Sequence, residues 1–286
     1  MAYLLAGISA GGQYALIAIG YTMVYGILRL INFAHSDVFM VAGLLVVYLQ
    51  TSMPFYASIP IAILLTVLLA FLIEKCAYKP LRSAPRMSAM ISAIGVSYLI
   101  QNVALYVTGG LPKPYPTLPF LVKNVTVLGA TTNMVTIITP FIALALVVVL
   151  VLLINKTKIG MAMRASSVDF ETARLMGIKI NSVISMTFVI GAFLAAAGSV
   201  LYFNNYPSVI PTSGAMPGLR AFVAAVVGIG SIPGAVVGAF IIGICENLLK
   251  MVGLTPFSDA FTFALLIVIL CVKPSGLFGE KKIDKV

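Results

Sequence analysis

Charge is what this sequence has least of. Only 9% of its 286 residues are charged, 18 Lys and Arg against 8 Asp and Glu. A soluble domain carries about 25%, so these charges cannot clothe a water-soluble globule of this length. The mean hydropathy of +1.11 agrees. A soluble enzyme, a nucleic-acid binder and a disordered chain are thereby excluded. Tryptophan is absent and His35 is the one histidine. The three cysteines, Cys76, Cys245 and Cys271, lie in or beside apolar runs with no CxxC spacing. They give no disulfide framework and no zinc site, and no catalytic or metal residues are expected. A GxxxxGK[ST] phosphate loop is missing, so nucleotide hydrolysis by that route is not expected of this chain. The opening MAYLLAG has no basic stretch and the first charged side chain is Arg29. The first apolar run therefore reads as a membrane span and not as a cleaved signal.

What is present is a series of long uncharged runs. A helix needs roughly 20 apolar residues to cross the hydrocarbon core. Residues 2–28 form one such run. The gap 38–73 is broken at TSMPFYASIP and splits into two spans joined by a turn. Further spans are expected at 87–112, 124–155 and 183–203. In 218–253 two apolar stretches flank GIGSIPG, which predicts a short or re-entrant helix at 218–229, a turn at 228–233 and a span to about 250. A last span covers 256–272. The expected fold is all-α, a polytopic membrane protein of about eight spans plus one short element, in a single domain over 1–286.

Lys and Arg orient it. With 78–87, 156–182 and the C-terminal tail in the cytoplasm, 14 of the 18 basic residues fall inside and Lys113, Lys123, Arg220 and Lys250 outside. The N-terminus is then outside and the C-terminus inside. The +10 formal charge is thus a matter of topology. Segment 109–135 becomes a Pro-rich outer loop, partly extended.

The inner segment 156–182 mixes both signs of charge. From Ser167 it reads SVDFETARLMG: a cap candidate, Asp169 and Glu171 in a first turn, Arg174 further on, and Gly177 where a helix should stop. A short helix of this kind either docks a cytosolic partner or lies on the membrane surface. The spacing Glu171, Thr172, Ala173, Gly177 resembles the EAA-type loop of ATP-binding-cassette importer permeases, with Thr for the middle Ala. Longer stretches extend the resemblance: LINFAHSDVFMVAG (30–43), YKPLRSAPRMSAMISAIGVSYLIQN (78–102), MRASSVDFETARLMGI (163–178), GIGSIPGAVVGAFIIGICENL (228–248) and AFTFALLIVILCVKPSGLFG (260–279). They are similar to the high-affinity branched-chain amino-acid permeases of bacteria, LivH-type, almost end to end. The resemblance implies an inner-membrane permease subunit importing Leu, Ile or Val by alternating access, with 163–178 as the cytoplasmic coupling helix. Its contacts to the ATPase would come from Asp169, Glu171, Thr172, Ala173, Arg174 and Gly177. It implies a LivM-type second permease, two cytosolic ATPases of LivG/LivF type that hold ATP and Mg, and a periplasmic binding protein. No cofactor is implied on this chain. One departure is Ser36, where that family has Gly.

Other polar residues keep two readings. Asn32, His35 and Asp37 do not share one helix face, and the topology puts them toward the cytoplasmic side. They form either a helix-start network or a substrate contact. Gln101 and Asn102 end a polar stripe with Ser92, Ser97 and Tyr98, and either bond across helices or face a cavity. Gly230, Ser231 and Arg220 either belong to tight packing around a broken helix or line a pathway. Glu246 and Lys250, four apart, read as an ion pair near the outer surface. A related permease for urea, short amides or sugars is the alternative. An independent secondary transporter would need a coupling-ion site, and Asp37, Glu74, Glu246 and Asp259 all read as lying at span ends.

Overall fold

A computed structural model of the chain describes residues 1–82, 84–127, 129–228 and 231–273. The apolar runs fold as α1 (Ala2–Leu28), α2 (His35–Leu49), α3 (Phe55–Ile73) and α4 (Arg86–Thr108). Next come α5 (Pro119–Val122), α6 (Met134–Lys156), α7 (Lys158–Val168), α8 (Phe170–Leu175) and α9 (Ile180–Asn205). The last three are α10 (Ala215–Val227), α11 (Ile232–Met251) and α12 (Ser258–Val272). Seven helical stretches are long and apolar enough to cross a membrane, counting the π and 3-10 turns that carry α3 on to Leu81. The protein is a polytopic, all-α membrane protein.

Two differences from the expected spans have local causes. The second span is a helix of only 15 residues, about 22 Å long, because the chain after α1 turns back before it begins. Arg29 makes that turn in the left-handed region, φ 54°, unusual for a residue with a side chain. In the uncharged run 124–155, which has a polar Thr/Asn stretch before its span, the helix begins at Met134. Asn124–Val127 (β2) and Ala130–Asn133 (β3) pair instead as an antiparallel hairpin. Their Val and Thr residues favour strands, and Gly129 supplies a φ of 77° between them. Lys113–Pro114 (β1) pairs with Ser208–Val209 (β4), so segments 109–135 and 204–217 are joined. The element expected at 218–229 is α10, of 13 residues. The C-terminal tail from 274, including its lysines, lies outside the described residues.

α1 is the axis of the bundle, with 67% of its central window buried. It packs on α11, α9, α10 and α6. The α1–α11 contact is a backbone-close seam of small residues. A Cβ on Gly7 would come within 2.9 Å of the Ile244 Cα, one on Gly11 within 2.7 Å of the Phe240 Cα, and one on Gly243 within 2.4 Å of the Gly11 nitrogen. Of the small residues expected to pack over 228–243, Ala239 and Gly243 meet α1, while a Cβ on Gly238 would come within 2.9 Å of the Ala224 carbonyl of α10. Without a hydrophobic driving force between helices in lipid, such close van der Waals contact is what associates them. Gly26, near the end of α1, has nothing within 4 Å of a built Cβ. Gly11→Leu or Gly243→Val should therefore lose much of the folded yield in detergent, at a cost of about 1–3 kcal/mol or more. Gly26→Ala should be neutral, and fluorescence-detected size exclusion after graded heating measures both.

Candidate functional site

Three polar centres lie within this apolar bundle, together with one exposed helix. The exposed helix is α8. Its N-cap is Asp169 and not Ser167, which lies in α7 and returns its hydroxyl to the Arg164 carbonyl at 2.8 Å. Asp169 breaks the helix with φ −153° and ψ 122°, and its carboxylate accepts the Glu171 N–H at 2.9 Å and the Thr172 hydroxyl. The Thr172 hydroxyl first, and then the Glu171 N–H, hold this carboxyl below the usual carboxylate range. With the folded value depressed, the cap is in place above that range and is lost only as pH falls below it. At the far end Gly177 (φ 84°) donates to the Arg174 carbonyl at 3.0 Å, and Ile178 to the Ala173 carbonyl at 3.1 Å. This is a Schellman ending. Ala173 faces inward at 4% exposure, while Glu171, Thr172 and Arg174 are exposed. Val168, Leu175 and Met176 stand out at 88%, 86% and 80%. Beside α8 a cleft of about 1320 Å³ is lined by Arg29, Arg82, Glu171, Arg174 and Lys179 among others.

Behind that cleft lies the first buried centre, which the sequence did not reveal. Glu74 is fully buried where α3 widens into a π-helical turn over Glu74–Tyr78. It pairs with Arg82, which also donates to Asn181 at the start of α9. Ser185 of α9 donates to Glu74 Oε2 at 2.7 Å. Tyr78 in the same turn donates to Asn32 Oδ1 at 2.5 Å. An acid and an arginine eight positions apart follow no helical spacing, so the signal available was only that a buried acid needs a cation.

The second centre is the start of α2. Asn32, His35 and Asp37 are all buried, but each has different neighbours. The His35 ring stands edge-on to Tyr21 at 5.0 Å, and a Cβ on Gly20 would sit 2.1 Å from its Nε2. Gly20 is eight residues from Leu28, so His35 lies about 12 Å in from that end of α1. The motif therefore sits well inside the bundle, deeper than its sequence position predicted. His35 Nε2 has no hydrogen-bond partner among the described residues. Ser36 fits because Gly218 of α10 lacks a Cβ, which would be 2.2 Å from that of Ser36. Asp37 Oδ1 accepts from Gln101 of α4 at 2.9 Å, and the same amide nitrogen approaches Ser97 Oγ at 3.2 Å. Asn102 does not join them; it is exposed and donates to the Tyr98 carbonyl of its own helix at 2.8 Å. Ser231 is the N-cap of α11, accepting from the Gly234 N–H at 3.2 Å, and Gly230 lies outside the described residues.

The third centre gathers four helices. The expected Glu246–Lys250 pair is present at 2.6 Å, but Glu246 is only 1% exposed and has two more partners. Tyr14 donates to its Oε2 at 2.8 Å, and Arg220 Nη1 reaches its Oε1 at 2.9 Å. Arg220 also binds Asp259 at 2.6 Å and donates to the Tyr14 hydroxyl at 2.8 Å. Arg220 is thus a clamp between α1, α10, α11 and α12 and not a free polar liner. Two acids and two cations cancel, as a buried set in an apolar surround requires.

Long apolar helices, a charged capped helix at one end and buried polar centres together define a polytopic membrane protein. The chain matches the family described as branched-chain amino acid transport system / permease component over residues 3–270, and belongs to it. It is 39% identical to the high-affinity branched-chain amino acid transport system permease protein LivH of Escherichia coli, over 98% of this chain and 96% of that protein. The LivH of Salmonella typhimurium is equally similar. The permease protein BraD of Pseudomonas aeruginosa is 37% identical over the same shares.

Breaking the third centre tests its weight. Arg220→Met leaves Glu246 and Asp259 short of a cation and should cost about 3–5 kcal/mol. Asp259→Asn, at the 39% exposed edge of the cluster, should cost about 1 kcal/mol or less. Thermal unfolding of the purified protein in detergent ranks the two, and equal losses would contradict the clamp.

Proposed function

We propose that this chain is a permease subunit of an ATP-binding-cassette importer that carries branched-chain amino acids, Leu, Ile and Val, across the bacterial inner membrane by alternating access. The observation that carries the reading is α8. A helix of six residues, capped at both ends and holding Leu175 and Met176 out in the open, has no reason to be so well fixed unless something docks on it. Its similarity to the EAA-type loop supports a cytosolic ATPase as the docking partner. Glu171 and Arg174 give that contact charge, the two apolar side chains give it area, and Asp169, Ala173 and Gly177 hold the helix in shape.

In this reading two ATPases of LivG/LivF type bind ATP and Mg, and a LivM-type permease completes the membrane unit. A periplasmic binding protein delivers substrate to the outer face formed by 109–135 and 204–217, which the β1–β4 pairing joins. The excess of Lys and Arg on the α8 side supports a cytoplasmic α8 and a periplasmic N-terminus. The chain itself performs no covalent chemistry. ATP-driven displacement of α8 passes to α9 directly, and through Asn181 and Arg82 to the π-helical turn after α3.

Uptake of labelled leucine into proteoliposomes holding all subunits tests this. Gly177→Arg, which puts a side chain at φ 84°, and Glu171→Lys should each lower uptake about tenfold or more, equivalent to at least 1.4 kcal/mol of coupling. ATP hydrolysis should continue and membrane insertion should be unchanged. Normal coupled uptake by the Gly177→Arg variant would count decisively against the reading.

A further inference from the structure

Among the described residues three acids are buried, and one of them lacks a cation. Glu74 has Arg82 and Glu246 has Arg220. Asp37 is 1% exposed, and its Oδ1 accepts from Gln101. Its Oδ2 is buried without a partner among the described residues. Asp37 stands in the first turn of α2, where a helix end favours negative charge. That explains why an acid is tolerated there. It does not fill Oδ2, since no backbone N–H of the turn donates to it.

The helix that covers Asp37 is also anomalous. α4 is less apolar than α3, α6 or α12, yet only 11% of its most apolar stretch is buried on this chain. It touches the rest of the protein through Ala89, Ala93 and Ala104, with Val96 and Ile100 half-buried beside them. Among the apolar side chains of its outer face, Ile91, Leu99 and Val103, stand Tyr98, Asn102 and Tyr106, where the outer face of α6 carries Phe141, Val148 and Val149. Lipid does not repay exposed polar groups at this depth, whereas a protein-lined or water-lined path does.

We propose that the seam between α2 and α4 holds the transported amino acid, with its α-ammonium group on the Asp37 carboxylate. This rests on the amino-acid permease reading above and adds the atoms that recognise the substrate. The ammonium has three N–H donors. Asp37 Oδ2 takes one and Ser97 Oγ is placed for a second, while Gln101 keeps the carboxylate oriented from its other oxygen. The ammonium supplies to Asp37 the cation that Arg82 supplies to Glu74 and Arg220 to Glu246, so binding pairs a buried charge and release unpairs it. α4 follows directly on the turn that Arg82 ties to α9, so displacement of α8 reaches the seam along a short covalent route. A lysine or arginine of the second permease is the other possible source of the same cationic chemistry, and stability measurements separate the two.

Asp37→Asn and Asp37→Glu variants are compared with wild type in the complete complex, by co-purification of the second permease, by thermal unfolding and by leucine uptake. If substrate supplies the cation, Asp37→Asn assembles fully and is at least as heat-stable as wild type, because it removes an unpaired charge. Its uptake falls about tenfold or more, the worth of a charge-assisted contact, and Asp37→Glu recovers an intermediate rate. Ser97→Ala, a milder change, should lower uptake several-fold without loss of stability. Uptake by Asp37→Asn within twofold of wild type would overturn the assignment. So would a lower melting temperature or loss of the second permease, either of which would give the cation to that chain. A wild-type complex that imports no amino acid would instead overturn the underlying reading.

Discussion

Close approach of α1 and α11 is the contact on which the other elements depend. Gly7, Gly11 and Gly243 bring two backbones together where ordinary side chains would hold them apart. That proximity lets Tyr14 of α1 reach Glu246 of α11, and Arg220 of α10 reach both. It also leaves α1 enclosed, so that a ring as large as His35 can lie against Gly20 without meeting lipid. In water such a seam would be one packing detail among many. In a bilayer, where burial of apolar surface between helices gains little, it is the source of cohesion.

Among the described residues, the buried acids follow one rule with one exception. Glu74 and Glu246 each have a cation, and side chains from other elements besides: Glu74 between the turn after α3 and α9, Glu246 among α1, α10 and the rest of α11. These ties fix helix against helix where lipid offers nothing to bond. The exception, Asp37, has an amide partner and no cation, and lies under α4, whose outer face mixes Tyr98 and Asn102 with apolar residues. A molecule that must move its cargo needs a place where the pairing is incomplete, and a loosely packed neighbour that can uncover it.

Much of this was legible in the sequence, and what was not has definable causes. Runs without charge marked the spans, and Pro54 starts α3 and Gly109 ends α4 near the expected places. The short helix α8 was readable because caps are local: Asp169 and Gly177 act within a few residues of themselves. Its start was misplaced by two residues because Ser167 and Asp169 are both good caps, and only the backbone at Asp169 decides between them. The hairpin at Asn124–Asn133 falls in the segment 109–135 read as partly extended, but its pairing was not legible, because uncharged Val and Thr suit a membrane as well as a strand. The ion centres were out of reach for a different reason. Tyr14, Arg220, Glu246 and Asp259 come from four helices, and no spacing along one chain announces such a meeting. Glu74 and Arg82 are close in sequence, but a π turn sets their register, and the α-helical period does not foresee it.

The reversal at Arg29 has a consequence for how this protein is made. It shortens α2 to 15 residues and gives it a head of His35, Ser36 and Asp37. Such a segment is too short, and too polar at one end, to leave the insertion machinery for lipid by itself. Its head is stable only once Gly20 of α1, Gly218 of α10 and Gln101 of α4 are in place. Two of those three are synthesised after it. Biogenesis therefore cannot run strictly from the first helix to the last: α2 must wait, shielded at the translocation channel or against its early neighbours, until α10 arrives nearly two hundred residues later.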